Sequence, residues 1–262
     1  MDWRQVAAGA LTGLVVGLTG VGGGALMTPL LLLLFGIAPA TAVGTDLWFA
    51  ALTKLAAARI HHGQGLIAWE VVRRLWAGSL PASALAILML RLGLIHLQGN
   101  RTLQLAIAAA VLLTAVGLLV QKPLLRLGTR AGMGDRSIAH TLQGPLTVLS
   151  GALLGFLVTL TSVGAGALGA VFLVFLYPRR LTPSGLVATD IAHAIPLALF
   201  AGLGHLLVGH VDWRLLAALL CGSVPGVILG TRLAVRMPQS ILRGVLALFL
   251  AATGLRLWTA VR

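Results

Sequence analysis

Asp46 and Asp190 are acids set inside apolar runs, each directly preceded by threonine, as Thr45-Asp46 and Thr189-Asp190. Placing a charge within a bilayer costs at least about 2.5–3.5 kcal/mol, so such residues face a cavity or a partner and mark routes for ions or protons. Lys54 follows Asp46 in the same run, and His193 lies one helical turn past Asp190. From Asp46 to Lys54 a helix rises about 12 Å and turns about 80°, which disfavours pairing within one helix. Lys54 can instead reach Asp190 from another segment, meet an anionic substrate, or snorkel to the membrane surface. His193 shares a helix face with Asp190 and can relay protons near neutral pH. Asp46, Asp190 and His193 are therefore the expected proton-coupling set. The competing explanation for the acids is helix capping after Pro39 and Pro183.

Two glycine-broken stretches precede the acids. The first is Thr19-Gly20-Val21-Gly22-Gly23-Gly24, and the second is Thr161-Ser162-Val163-Gly164-Ala165-Gly166. A helix broken inside a membrane leaves N–H and C=O groups that must face protein, water or ligand. A half-helix starting near Gly24 or Gly166 turns its positive end into the membrane, where free N–H groups attract an anion. Thr19, Thr161 and Ser162 add hydroxyls. Gly20, Gly22, Gly23, Gly24, Gly164 and Gly166 allow close backbone approach, and Thr45, Lys54 and Thr189 complete the expected substrate-binding set. Gly9, Gly13 and Gly17, like Gly222, Gly226 and Gly230, keep helical spacing and read as tight helix packing instead.

The elements that must carry these residues follow from composition. The chain has 262 residues, 58% hydrophobic and 10% charged, with mean hydropathy +1.00. Soluble domains run nearer 45–50% apolar and ~25% charged, so the chain reads as a polytopic helical membrane protein. The net charge of +13 comes mainly from arginines at the ends of apolar runs, as membrane anchoring places them. No basic stripe interleaves with aromatics, which argues against nucleic-acid binding. The single Cys221 excludes an internal disulfide and reads as a packing residue. The N-terminal residues lead straight into an apolar stretch that reads as a retained membrane segment.

Apolar runs fall near 6–19, 25–35, 40–60, 70–91 and 101–121, then near 142–161, 166–177, 183–207, 213–235 and 240–260. Gly9, Pro39, Asp46, His61, Trp69 and Pro81 recur in order as Gly151, Pro183, Asp190, His205, Trp213 and Pro225. Order and spacing both hold, which indicates a duplication. The expected organisation is a first membrane repeat at 1–121, a polar linker loop at 122–141 and a second membrane repeat at 142–262. The first segment of each repeat is broken at its glycines. As one helix, residues 6–35 would span about 45 Å, against a hydrocarbon core of about 30 Å. The run is therefore a tilted, broken crossing or a re-entrant hairpin. Arginine placement leans to the hairpin, which would make the repeats inverted, the arrangement suited to alternating access.

The glycine-rich first segment, Ala42-Val43-Gly44-Thr45 and their echo in the second half resemble the sulfite exporter TauE/SafE family of membrane transporters. The resemblance covers essentially the whole chain. It implies an all-α permease of the bacterial inner membrane, with about eight membrane segments, four per repeat. It also implies a small sulfur-containing anion as substrate, such as sulfite or an organosulfonate. That family commonly places Ser after Gly-Thr, where this chain has Asp46 and, in the echo, Asp190.

The expected function is a proton-coupled carrier of a small anion, with no cofactor. The acid and the anion are compatible if the acid is protonated while the anion is bound. The alternative is a carrier of divalent metal or another cation, held by Asp46, Asp190 and His193. An enzyme is not expected, because neither HExxH nor GxSxG is present.

Overall fold

The computed structural model describes residues 2–19, 24–61, 66–95, 101–130, 138–164, 166–234 and 239–260. Among these residues it is all helical: α1 Trp3–Thr19, α2 Gly24–Phe35, α3 Pro39–His61, α4 Trp69–Arg91, α5 Arg101–Arg130, α6 Ile138–Thr161, α7 Ala167–Leu176, α8 Pro183–Leu207, α9 Trp213–Ala234 and α10 Gln239–Ala260.

The punctuation explains the boundaries. Proline opens α3 and α8, where its missing N–H costs nothing. Thr182 caps α8 by accepting the Gly185 N–H at 3.1 Å. Asp212 caps α9 by accepting the N–H groups of Arg214 (2.9 Å) and Leu215 (3.0 Å). Helix α1 ends at Thr19 and α2 begins at Gly24, with residues 20–23 outside the described residues, while the second glycine stretch separates α6 from α7. In the second interruption Ser162 sits at φ 57°, while Gly164 and Gly166 take φ 114° and 131°, values that favour glycine. By rise alone α2 and α7 reach only about 18 Å and about 15 Å, short of the bilayer core.

Among the described residues, five helical stretches are long and apolar enough to cross a membrane: 69–91, 101–120, 142–161, 184–207 and 213–233. Helix α5 runs on to Arg130 and α6 begins at Ile138. Much of the stretch read as a polar loop is therefore helical, because the leucines from 124 to 127 continue the apolar run beyond Pro123. The interior of the linker, 131–137, lies outside the described residues.

Helices of the first half pack mainly against those of the second. Helix α1 lies on α9 and α4 lies on α6, with α3 against α8 and α5 against α10. Glycine makes the first two contacts close enough for backbones to touch. A side chain at Gly9 or Gly13 would collide with the backbone of Leu219 or Ser223, and one at Gly222 or Gly226 with Val6 or Ala10. Gly151 and Gly155 meet Leu75 and Ser79 in the same way. Small residues at helical spacing are how helices associate where lipid removes the hydrophobic drive between them. The outer faces expose Leu11, Leu85, Leu113, Leu149 and Leu248, as lipid contact requires. Cys221 is also exposed, so it is not the packing residue its apolar setting implied.

Candidate functional site

The two acids are buried where α2 meets α3 and α7 meets α8. Asp46, on α3, is fully buried. Its Oδ2 accepts the Thr28 hydroxyl at 2.5 Å and the Thr28 N–H at 3.1 Å, which docks it on the first turns of α2. Its Oδ1 has no hydrogen-bond partner. The Ser162 hydroxyl lies beside this carboxyl, close enough to act on it, yet it too makes no hydrogen bond. An acid of the first half thus faces the helix interruption of the second.

Asp190, on α8, is buried against α7, where a side chain on Gly169 would collide with its Oδ1. Helix α7 has Gly166 as its N-cap with no side-chain cap bond; the Gly169 N–H bonds the Gly164 carbonyl at 3.3 Å, and the N–H groups of Ala167 and Leu168 lie within a turn of that contact. The Lys54 ammonium, buried on α3, interacts electrostatically with both Asp190 and His193. His193 Nε2 hydrogen-bonds the Ser79 hydroxyl at 3.0 Å, and its carbonyl accepts from Trp76 Nε1 at 3.2 Å. Four helices therefore converge here: α3, α4, α7 and α8.

The threonines hold the frame. Thr45 Oγ1 accepts the Asp212 N–H at 3.0 Å, and Thr189 Oγ1 accepts the Ala68 N–H at 3.1 Å. Each hydroxyl fixes the entry to a helix of the other half, α9 and α4. Thr19 Oγ1 donates to the Val15 carbonyl at 2.7 Å. Thr161 Oγ1 donates to Leu157 O at 2.7 Å and accepts the Val163 N–H at 3.2 Å, closing the end of α6. Gly24 is the first residue of α2. Gly20, Gly22 and Gly23 lie outside the described residues. His205 is fully buried and bonded through Nε2 to Thr159 O at 2.7 Å.

Asp46, Asp190 and His193 do not come together as a three-ligand metal centre, and among the described residues no group of three His, Cys, Asp or Glu does. Lys54 stands by Asp190 and His193, while Asp46 bonds Thr28. Sequence reasoning missed Thr28, Ser79 and Gly169. Ser79 carried a signal, the Gly78-Ser79-Leu80-Pro81 motif echoed at Gly222-Ser223-Val224-Pro225.

The family model for the sulfite exporter TauE/SafE matches residues 6–257. The chain belongs to this family. It is 38% identical over 260 residues to the probable membrane transporter protein YjnA of Bacillus subtilis, covering 98% of this chain and all of that one. A second Bacillus subtilis relative, the probable membrane transporter protein YdhB, is 27% identical, with 94% and 96% covered. A probable membrane transporter protein of Xylella fastidiosa is 26% identical, with 90% and 85% covered. No solved structure is a significant match. The TauE/SafE chain is a multi-pass membrane transporter, not an enzyme.

Proposed function

We propose that this transporter carries a small anion, a sulfur oxyanion such as sulfite or an organosulfonate, across the bacterial inner membrane in exchange for or together with protons. The observation that carries the reading is the buried meeting of Lys54, Asp190 and His193 at the uncapped start of α7. An ammonium and free N–H groups at a helix start attract an anion. In this reading Asp190 occupies the place when the site is empty, its carboxylate answering Lys54. Protonation of Asp190 releases Lys54 and the α7 N–H groups to the substrate, so anion and proton bind together. Gly164 and Gly166 let the backbone approach the anion, with Ser162 and Thr161 at the same break. Asp46 at α2 has the corresponding position in the other half.

The sequence echo supports two repeats, 1–121 and 142–262, each contributing four membrane segments with its first segment broken. Pairing of α1 with α9 and of α4 with α6 then means that each repeat's interrupted span packs on the other repeat. Rocking of one such unit against the other would alternate access to a site held between them.

The test is flux in proteoliposomes containing the purified full chain. Sulfite, taurine and a small carboxylate are loaded inside, and efflux is followed with and without an imposed proton gradient. The reading expects sulfite or sulfonate flux that responds to the gradient, and loss of that response in Asp46→Asn or Asp190→Asn. Gradient-driven flux that is unchanged in both variants overturns the coupling role, and flux of the carboxylate alone overturns the substrate class.

A further inference from the structure

The two buried acids differ in their company. Asp190 has the Lys54 ammonium as its counter-charge. The groups acting on Asp46 are Thr28 and Ser162, neither of them charged. The position that follows Asp190 as Lys54 follows Asp46 is Ala198, a buried alanine packed in the apolar core. The second half therefore carries no cation at the position equivalent to Lys54.

What stands beside Asp46 is the end of a helix. Helix α6 stops at Thr161, and Ser162 is the next residue. The C-terminal end of a helix carries partial negative charge and carbonyl groups without intrahelical partners. A carboxylate there is repelled unless a positive charge lies between them. Two buried oxygens, Asp46 Oδ1 and Ser162 Oγ, belong to neighbouring side chains, and neither has a partner at hydrogen-bonding geometry. Ser162 is held at φ 57°, a backbone state uncommon for a residue other than glycine. Such outliers persist where the surrounding structure fixes them, and they cluster at ligand sites.

We propose that Asp46 Oδ1 and Ser162 Oγ, at the end of α6, form a site for a small monovalent cation, sodium, which supplies to Asp46 the positive charge that Lys54 supplies to Asp190. Hard oxygen ligands, a carboxylate, a hydroxyl and carbonyls at an unwound helix end, match that ion. Sodium and a proton would then compete for Asp46, leaving Asp190 as the acid that answers to pH. The assignment rests on the transporter reading above and adds sodium, at Asp46, to the proton at Asp190.

The experiment needs no substrate. Unfolding of the purified full chain in detergent is followed by tryptophan fluorescence at constant ionic strength, with sodium, potassium or choline chloride. Sodium is expected to raise the Tm saturably, and choline not at all. Asp46→Asn should abolish the response. Ser162→Ala, which keeps the charge and removes one ligand, should raise the half-saturating sodium concentration at least tenfold. Equal Tm values in sodium and choline, or a sodium response intact in both variants, overturn the site. Proton-driven sulfite flux without any sodium effect would sink this proposal and leave the anion reading standing. A sodium effect without anion flux would do the reverse.

Discussion

The carboxylate of Asp190 presses on Gly169 so closely that no side chain fits between them. An acid of α8 thereby lies on the first turn of α7, which has no side-chain cap. Gly169→Ala should push the carboxyl off that turn and away from its place beside Lys54. Overpacking of this kind costs about 1–3 kcal/mol, little enough for the protein to remain folded. Anion flux in proteoliposomes is expected to fall at least tenfold while the variant elutes as the native protein does. Native flux would show that the contact plays no part in transport.

Glycine carries a different load where helices cross. Gly13 meets the backbone of Ser223, and Gly155 that of Ser79. Backbone cannot move aside as a side-chain tip can, so Gly13→Val or Gly155→Val must separate two helices. Gly244, in α10, has nothing near the place of its missing side chain. We expect both valine variants to lose most of the monodisperse protein recovered in detergent, and Gly244→Ala to be recovered as the parent is. Glycine in a helix interior is less favourable than alanine by about 0.5–1 kcal/mol, so Gly244→Ala should not lower the Tm. Recovery of all three at parental level would remove glycine packing as the basis of the α1–α9 and α4–α6 contacts.

The contrast shows what was legible beforehand. Helical spacing of Gly9, Gly13 and Gly17 announced close packing, because small residues on one face have little other use in lipid. The partner helix was not legible, since spacing within one segment says nothing about which distant segment it meets. Similarly, the rotation between Asp46 and Lys54 argued against a pair within α3 and left Asp190 as one of several options. The contacts Thr28–Asp46, Gly169–Asp190 and Ser79–His193 join different helices, and no local pattern encodes them. Residues 122–130 were misread because charge and proline within a short stretch mimic a loop, while leucines at the same place sustain a helix.

Ser79 is the hydrogen-bond partner of His193 Nε2 inside the membrane-spanning helices. Removing that hydroxyl leaves a buried ring nitrogen without its partner, at a cost of about 1–3 kcal/mol. If His193 relays protons to Asp190, losing its orientation should slow proton-driven flux several-fold and change the pH profile of the rate. Ser79→Ala is therefore expected to alter the pH profile, and Ser79→Thr, which keeps the hydroxyl, to restore it. A lowered Tm with an unaltered profile in Ser79→Ala would make the bond structural alone.

Lys54 and Asp190 provide the most direct test, because two buried charges that answer each other respond to mutation in a characteristic way. Removing one partner strands the other in a low-dielectric interior, and such losses run to about 3–5 kcal/mol. Removing both leaves no stranded charge. Lys54→Met and Asp190→Asn should each lower the Tm markedly, and the double variant should recover most of the loss. Additive losses would mean that the two groups stabilise the fold independently. Transport separates a structural pair from a working one. The double variant is expected to be folded and inactive toward the anion, since neither the cation that attracts it nor the acid that yields its place remains. Glu70 is the control: its ion pairs with Arg74 and Arg180, at 2.7 and 2.6 Å, lie half-exposed. Such pairs are worth about 0–1 kcal/mol, so Glu70→Gln should change neither Tm nor flux appreciably. A double variant that still carries sulfite at the native rate would remove Lys54 and Asp190 from the transport mechanism.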